Sequence, residues 1–182
     1  SATFGGDFGA WSLFADVVGA ATTFPGALGR TYCIRVSPHD DAGNSASPSA
    51  SACTSVPLDD RSFSRSNGWK AKTRAGRYAG TFLESDTQGS SLTLNGVRAK
   101  QLALLVTKCR GCGSVQVLWD NVPLAKLGTS NSILGLGSAT TKNKELIVLE
   151  PLDQLETGTV KVKVTSPHGR PVKIDGLGIA KT

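Results

Sequence analysis

Four cysteines, two histidines, three tryptophans and fourteen carboxylates hold most of the chemistry this chain could do. A serine hydrolase needs a nucleophile, a base and an orienting acid within reach of one another. Ser is abundant, but no Gly-x-Ser-x-Gly turn occurs, and His39 and His168 both fall in turn-like segments. A glycosidase needs two carboxylates across a cleft. Asp120, Glu150, Asp153, Glu156 and Asp175 are available, most of them in turns, and no spacing pairs them. The chain therefore reads as a non-enzyme.

The cysteines fall as Cys33, Cys53, Cys109 and Cys112. A zinc site needs four ligands at suitable spacing, and one Cys-x-x-Cys with two distant histidines does not supply them. A redox Cys-x-x-Cys relies on a helix N-terminus to hold its thiolate. Here the pair sits in a turn between Lys108 and Gly113. An even count in a β-rich chain points instead to structural disulfides and an oxidising, extracellular setting.

Sugar binding uses aromatic rings as platforms and amide or carboxylate groups to read hydroxyls. The candidates are Trp69, Tyr78, Trp119, Asp120 and Asn121. Trp119 shares the parity of Val115 and Val117, so it also fits a core position. Aromatic residues make up only 6% of the chain, thin for a dedicated sugar-binding surface. Lys70, Lys72, Arg74 and Arg77 form a basic patch. Without an aromatic stacking ladder beside it, this patch argues against nucleic acid and for an anionic wall polymer or a neighbouring subunit. No cofactor is expected. A structural calcium has candidate donors in Asp59, Asp60 and Asp175, though nothing resembles an EF-hand.

These residues must be positioned by strands. The chain has 182 residues, and strong helix formers never recur at helical spacing over a full window. No apolar run approaches the ~20 residues of a membrane span. Charge is uneven: residues 1–58 hold two basic and four acidic side chains, the rest eighteen and ten. The second part therefore carries the excess of the +6 net charge.

In the first unit, Phe4, Phe8 and Trp11 lie near glycine turns and read as a hairpin. A short strand is expected at 20–24, an alternating strand at 31–37, a turn at Asp40–Asn44 and a returning strand at 49–56. Cys33 and Cys53 then lie on neighbouring strands. A disulfide between them closes a loop of about 20 residues and contributes ~3 kcal/mol in the chain-entropy picture.

Further on, strands are expected at 78–84, 90–94, 99–108, 114–119, 122–127, 144–149, 159–164 and 171–179. Asn95-Gly96 reads as the turn closing the second of these. The Cys109–Cys112 turn reads as a hairpin between 99–108 and 114–119. Val160, Val162 and Val164 face inward, with Lys161 and Lys163 outward. About eight strands without helices suggest a two-sheet jelly roll.

Leu28, Gly29, Tyr32, Val36 and Asp40–Asn44 resemble the F strand and F–G turn of fibronectin type III domains, with Tyr32 at the tyrosine-corner position. Cys33 and Cys53 resemble the pair in secreted actinobacterial versions, and Leu58-Asp59-Asp60-Arg61 resembles their junction to a second β-domain. By that resemblance Ser1–Phe4 ends strand C, and strands A, B and most of C are missing. Gly68-Trp69, Tyr78-Ala-Gly80, Cys109-x-x-Cys112-Gly113, Val115–Trp119 and Ile174-Asp175-Gly176-Leu177-Gly178 resemble the C-terminal jelly-roll module of the same exoproteins. Closing strands of the Ile-Asp-Gly type also occur in carbohydrate-binding sandwiches.

The expected organisation is therefore all-β. Residues 1–56 are the C-terminal part of a fibronectin type III domain, 57–60 a linker, and 61–182 a jelly-roll-like β-sandwich. The resemblance implies an extracellular, non-catalytic module that attaches to polysaccharide or cell surface, or spaces an upstream domain. The rival expectation is a structural subunit in which another chain completes residues 1–56.

Overall fold

The computed structural model describes residues 1–17 and 21–182. Ala2–Thr3 (β1), Arg30–Ile34 (β2) and Ala52–Ser55 (β3) form a small antiparallel sheet in that order. Cys33 and Cys53 face each other across β2 and β3 and are disulfide-bonded. The Asp40–Asn44 turn is closed by the Asn44 N–H, which donates to Asp40 Oδ1 at 2.8 Å. Tyr32 Oη accepts from the Ala27 N–H at 2.9 Å, five residues upstream.

The hairpin expected around Phe4, Phe8 and Trp11 is absent: residues 7–17 hold no strand, and β1 pairs with β2. Aromatic packing rather than a ladder organises this segment. Phe14 meets Phe24 edge-on, and Phe24 meets Tyr32 likewise, each at 4.7 Å between ring centres. The strand expected at 20–24 begins at Ala20, which lies outside the described residues, and 21–24 form none.

The larger part is two antiparallel sheets packed face to face. In chain order their strands are Leu58–Asp59 (β4), Ser64–Arg65 (β5), Lys70–Thr73 (β6), Thr81–Ser85 (β7), Ser91–Ala99 (β8) and Gln101–Lys108 (β9). Ser114–Trp119 (β10), Val122–Leu124 (β11), Ile133–Gly135 (β12), Lys142–Val148 (β13), Glu156–Val164 (β14) and Val172–Ala180 (β15) complete them. One sheet runs β11-β10-β14-β8-β5, with β12 also beside β10. The other runs β13-β9-β15-β7-β6, with β4 beside β15. From β4 to β15 the chain changes sheet at every step except β6 to β7, β10 to β11 and β11 to β12. The result is a jelly-roll-like sandwich.

Alternation explains the packing. Val115 and Val117 of β10 and Val160, Val162 and Val164 of β14 are fully buried, while Lys163 is exposed. They meet Leu104 and Val106 of β9 and Ile174 of β15 in one core. Burying each such side chain contributes roughly 1.5–3 kcal/mol. β9 and β15 are covered on both faces, which is why they read as nearly continuous apolar runs. Part of that cover comes from the N-terminal segment. β4 pairs with β15, Thr31 Oγ1 donates to Ile179 O at 2.8 Å, and the Lys181 ammonium donates to Gly6 O at 2.6 Å. Residues 57–60, read as a linker, are thus packed against the sandwich, with Asp60 fully buried.

Two turn expectations are corrected. Asn95-Gly96 closes no hairpin, because β8 runs straight through it. The pairing of β8 with β14 slips between Gly158 and Val160, so Asn95-Gly96 opposes Thr159 alone. Gly96 has φ 67°, the left-handed geometry that a bulge uses as readily as a turn does. The Cys109–Cys112 disulfide forms, but the strands around it do not pair. The turn is an arch from one sheet to the other. Residues 78–80 are a single 3-10 turn, and the expected strand starts at Thr81.

Candidate functional site

The sequence-derived binding residues do not meet. Trp69 and Trp119 are 8% and 6% exposed and lie in the hydrophobic core, so neither offers a ring to a ligand. Trp119 follows the inward parity of β10, and its indole lies against Gly158, where a Cβ would come within 2.6 Å of the ring. Tyr78 is half-buried, and its hydroxyl donates to Pro57 O at 2.7 Å. Burial, then the neighbouring Asp59 carboxylate, pushes its pKa up. Asp120 and Asn121 are exposed in the two-residue turn between β10 and β11, both at positive φ. Their side chains brace that turn: Asp120 Oδ1 accepts the Thr159 N–H at 2.8 Å, and Asn121 Oδ1 accepts from Lys161 at 3.0 Å. The exposed tryptophan is Trp11, with the Arg35 guanidinium 4.2 Å above its ring.

The expected basic patch is also corrected. Lys70, Lys72 and Arg74 are exposed, with Lys70 and Lys72 on β6, but Lys72 is ion-paired to Glu84. Arg77 is buried. Its guanidinium sits 3.4 Å from Asp175 Oδ2 and 4.4 Å from the Phe82 ring centre. Desolvation makes an isolated buried carboxylate costly, so Arg77 serves the interior and not the surface. Burial raises the pKa of Asp175, and Arg77, then the Thr107 hydroxyl, oppose that rise.

The three candidate calcium donors are used separately. Asp59 Oδ1 and Asp60 Oδ1 share the Thr81 hydroxyl at 3.1 and 2.5 Å, while Asp175 faces Arg77 and Thr107. Among the described residues no three His, Cys, Asp or Glu side chains gather where they could hold a metal. The residues present do not fit a carboxylate cage. Burial pushes Asp60 up to about 6, with a further push from Asp59. Of the histidines, His39 lies 3.6 Å from Asp16, both well exposed.

The structure assembles a different place. β12, at one edge of the first sheet, and β13, at one edge of the second, border a cleft of about 270 Å³. Small-ligand clefts begin near ~300 Å³. Leu134 and Ile147 form its apolar floor, and Ile133 stands half-exposed at the wall. Lys108, from the end of β9, and Lys126, Thr129 and Asn131, from the β11–β12 loop, supply its polar groups.

That loop is braced. The Lys126 N–H donates to Asn131 O and the Thr129 N–H to Lys126 O, both at 3.0 Å. Asn131 Oδ1 accepts the Ile133 N–H at 2.9 Å, and Glu150 Oε1 accepts the Gly128 N–H at 2.6 Å. None of these cleft residues stood out in the sequence. The available signal was the turn-rich run Leu127-Gly-Thr-Ser-Asn131. Nothing local linked it to Lys108.

No protein-family model matches the chain, and no curated protein matches it. Solved structures do. The Agl-KA catalytic domain aligns with TM-score 0.50 and 12% identity over 71% of this chain and 28% of its own. A Paenibacillus xanthan lyase aligns with TM-score 0.55 and 11% identity over 69% of this chain and 13% of its own. A family 35 carbohydrate binding module from Clostridium thermocellum aligns with TM-score 0.49 and 15% identity over 71% of this chain and 99% of its own. The chain thus spans 28% and 13% of the first two proteins, and the likeness is one of fold.

Proposed function

We propose that the chain is a non-catalytic extracellular module that binds polysaccharide through the cleft between β12 and β13. The observation that carries this reading is the composition of the cleft. An apolar floor with Ile133 offers a surface to the carbon face of a sugar ring. The Asn131 amide nitrogen and the lysine ammoniums supply donors that hydroxyls and ring substituents can bond, while the Thr129 hydroxyl is held within the loop by Lys126 O and the Asn131 N–H. The two disulfides support an oxidising compartment. Native gels cast with single polysaccharides, neutral and acidic, test the reading. At least one should slow the wild-type chain more than an Asn131→Ala, Ile133→Ser variant of equal melting temperature. Equal mobility of both proteins in every gel would overturn the reading.

A second reading concerns residues 1–56, proposed as the C-terminal part of a fibronectin type III domain. The Tyr32–Ala27 bond, of the tyrosine-corner kind, supports it. β3 ends the small sheet, and Ile34, Val36 and Ala52 line a second, mostly apolar groove beside it. Exposed edges of this type are completed by added strands. A chain that assembles through this edge should show a concentration-dependent mass by light scattering. A constant monomer mass up to millimolar concentration would remove this reading.

A further inference from the structure

The cleft also carries information about the charge of its ligand. Lys108 and Lys142 are directly opposed partners on β9 and β13. Like charges directly opposite each other destabilise a sheet. Lys126 reaches the same cleft from the facing loop. None of the three makes an ion pair among the described residues, where the pairs are carried by other cations. The carboxylate held at this loop, Glu150, accepts the Gly128 N–H. On the same sheet, by contrast, Lys72 and Lys173 both meet Glu84. Two ammonium-bearing side chains thus line one cleft, a third stands directly opposite one of them, and none of the three is ion-paired among the described residues.

We infer that the cleft between β12 and β13 binds an anionic polysaccharide, with Lys108 and Lys126 contacting its charged groups and Lys142 adding to the local field. The inference rests on the polysaccharide-binding reading and narrows its ligand class. Ammonium groups on flexible stems act as point charges. They suit carboxylate or sulfate substituents on a chain whose ring faces rest on Ile133 and the floor. Lys108 and Lys126 are the specificity-determining residues. Neutral chains of the same backbone lack the groups these lysines would bond.

Affinity measurements at 50 mM salt with four probes test this: polygalacturonate, dextran sulfate, a neutral panel of dextran, xylan and laminarin, and a single-stranded oligonucleotide. Lys108→Gln and Lys126→Gln keep the side-chain stems, and their melting temperatures report on folding. Lys70→Gln, on the exposed face of β6, is the control. The expected result is binding of polygalacturonate or dextran sulfate that falls at least fivefold in each cleft variant. It should stay unchanged in the control and weaken with added salt. Which polymer binds more tightly identifies carboxylate or sulfate as the group. Equal binding of a neutral glycan, indifferent to both cleft variants, would overturn the charge inference and leave the binding reading standing. No binding of any glycan would remove both. Preferential binding of the oligonucleotide, or an equal loss in Lys70→Gln, would overturn the inference in favour of nucleic acid or of undirected charge.

Discussion

Replacing Arg77 by Met should uncover the cost of the carboxylate it neutralises. The two side chains are 2% and 0% exposed and 3.4 Å apart. At an effective dielectric of about 20, charges at that separation attract by about 5 kcal/mol. Losing one partner of a buried pair typically costs about 3–5 kcal/mol, because the other charge stays desolvated. Methionine fills much of the same apolar volume but removes the guanidinium, which also lies over the Phe82 ring, so the loss is mainly electrostatic. Asp175 retains the Thr107 hydroxyl at 3.2 Å and the Tyr78 N–H, which places the expected loss near the lower end, about 3 kcal/mol at pH 7. The pH dependence sharpens the test. Asp175 already has a raised pKa in the folded chain, and removal of Arg77 raises it further. A carboxyl with a raised folded pKa is most favourable below its unfolded value and loses stability as pH rises. The penalty of Arg77→Met should therefore shrink as pH falls toward 4. Urea unfolding followed by tryptophan fluorescence at pH 4 and pH 7 measures both. A variant within 1 kcal/mol of wild type at pH 7 would refute the reasoning, as would a penalty indifferent to pH. The Arg77→Met, Asp175→Asn double variant should recover most of the loss.

Asp60→Asn should flatten a second pH profile. The carboxyl is fully buried, with a folded pKa of about 6 against an ordinary 3.8. The stability it contributes is complete below pH 3.8 and is lost as pH rises through 6, about 3 kcal/mol in all. Asparagine should therefore gain on wild type by about that amount between pH 3.5 and pH 7.5, measured in EDTA so that no cation holds the carboxylate ionised. A constant difference would contradict the burial argument. Cys33→Ser with Cys53→Ser removes a cross-link with a sequence separation of 20, worth about 3 kcal/mol by loop entropy. Amide exchange should quicken in β2 and β3 and stay slow in β14. Uniform acceleration would show that the small sheet and the sandwich unfold together.

The strands of the sandwich were legible where one face is wet. β10 and β14 carry strict alternation because each turns one face to the core and the other to water. The bounds of β10 follow residue for residue, while β14 begins three residues before the expected 159, at Glu156. β9 was legible as central from its apolar run, since cover on both faces erases alternation. Asn95-Gly96 misled for a physical reason: left-handed glycine fits a bulge and a hairpin turn equally, and only the partner strand decides between them. The three-residue separation of Cys109 and Cys112 specifies a tight turn but says nothing about which sheet receives the chain afterwards. The arch therefore had to be seen. Trp69 and Arg77 show the limit for binding residues, because residue type does not determine exposure. A tryptophan beside a turn and an arginine in a basic run were both drawn inward, one by the apolar space between the sheets and one by Asp175.

The cleft escaped sequence reasoning for the opposite reason. Lys108 ends a core strand, and Lys126 lies in a loop of ordinary turn residues. Neither position is unusual alone. What makes them a pair is the crossing of the chain between sheets, which sets the edge of one against the edge of the other. A sandwich of this kind leaves two open sides where edge strands end the sheets, here β12 with β13 and β5 with β6, while β4 and the N-terminal segment lie against the second sheet beside β15. Asp60 and Arg77 in that covered region are spent on Thr81 and Asp175. On the β12–β13 side, Lys108 and Lys126 line a cleft with an apolar floor and make no ion pair among the described residues. The same two-sheet architecture thus combines a covered, internally neutralised stretch of the second sheet, which holds the fold, with an edge cleft lined by two lysines, which is the one proposed to hold a ligand.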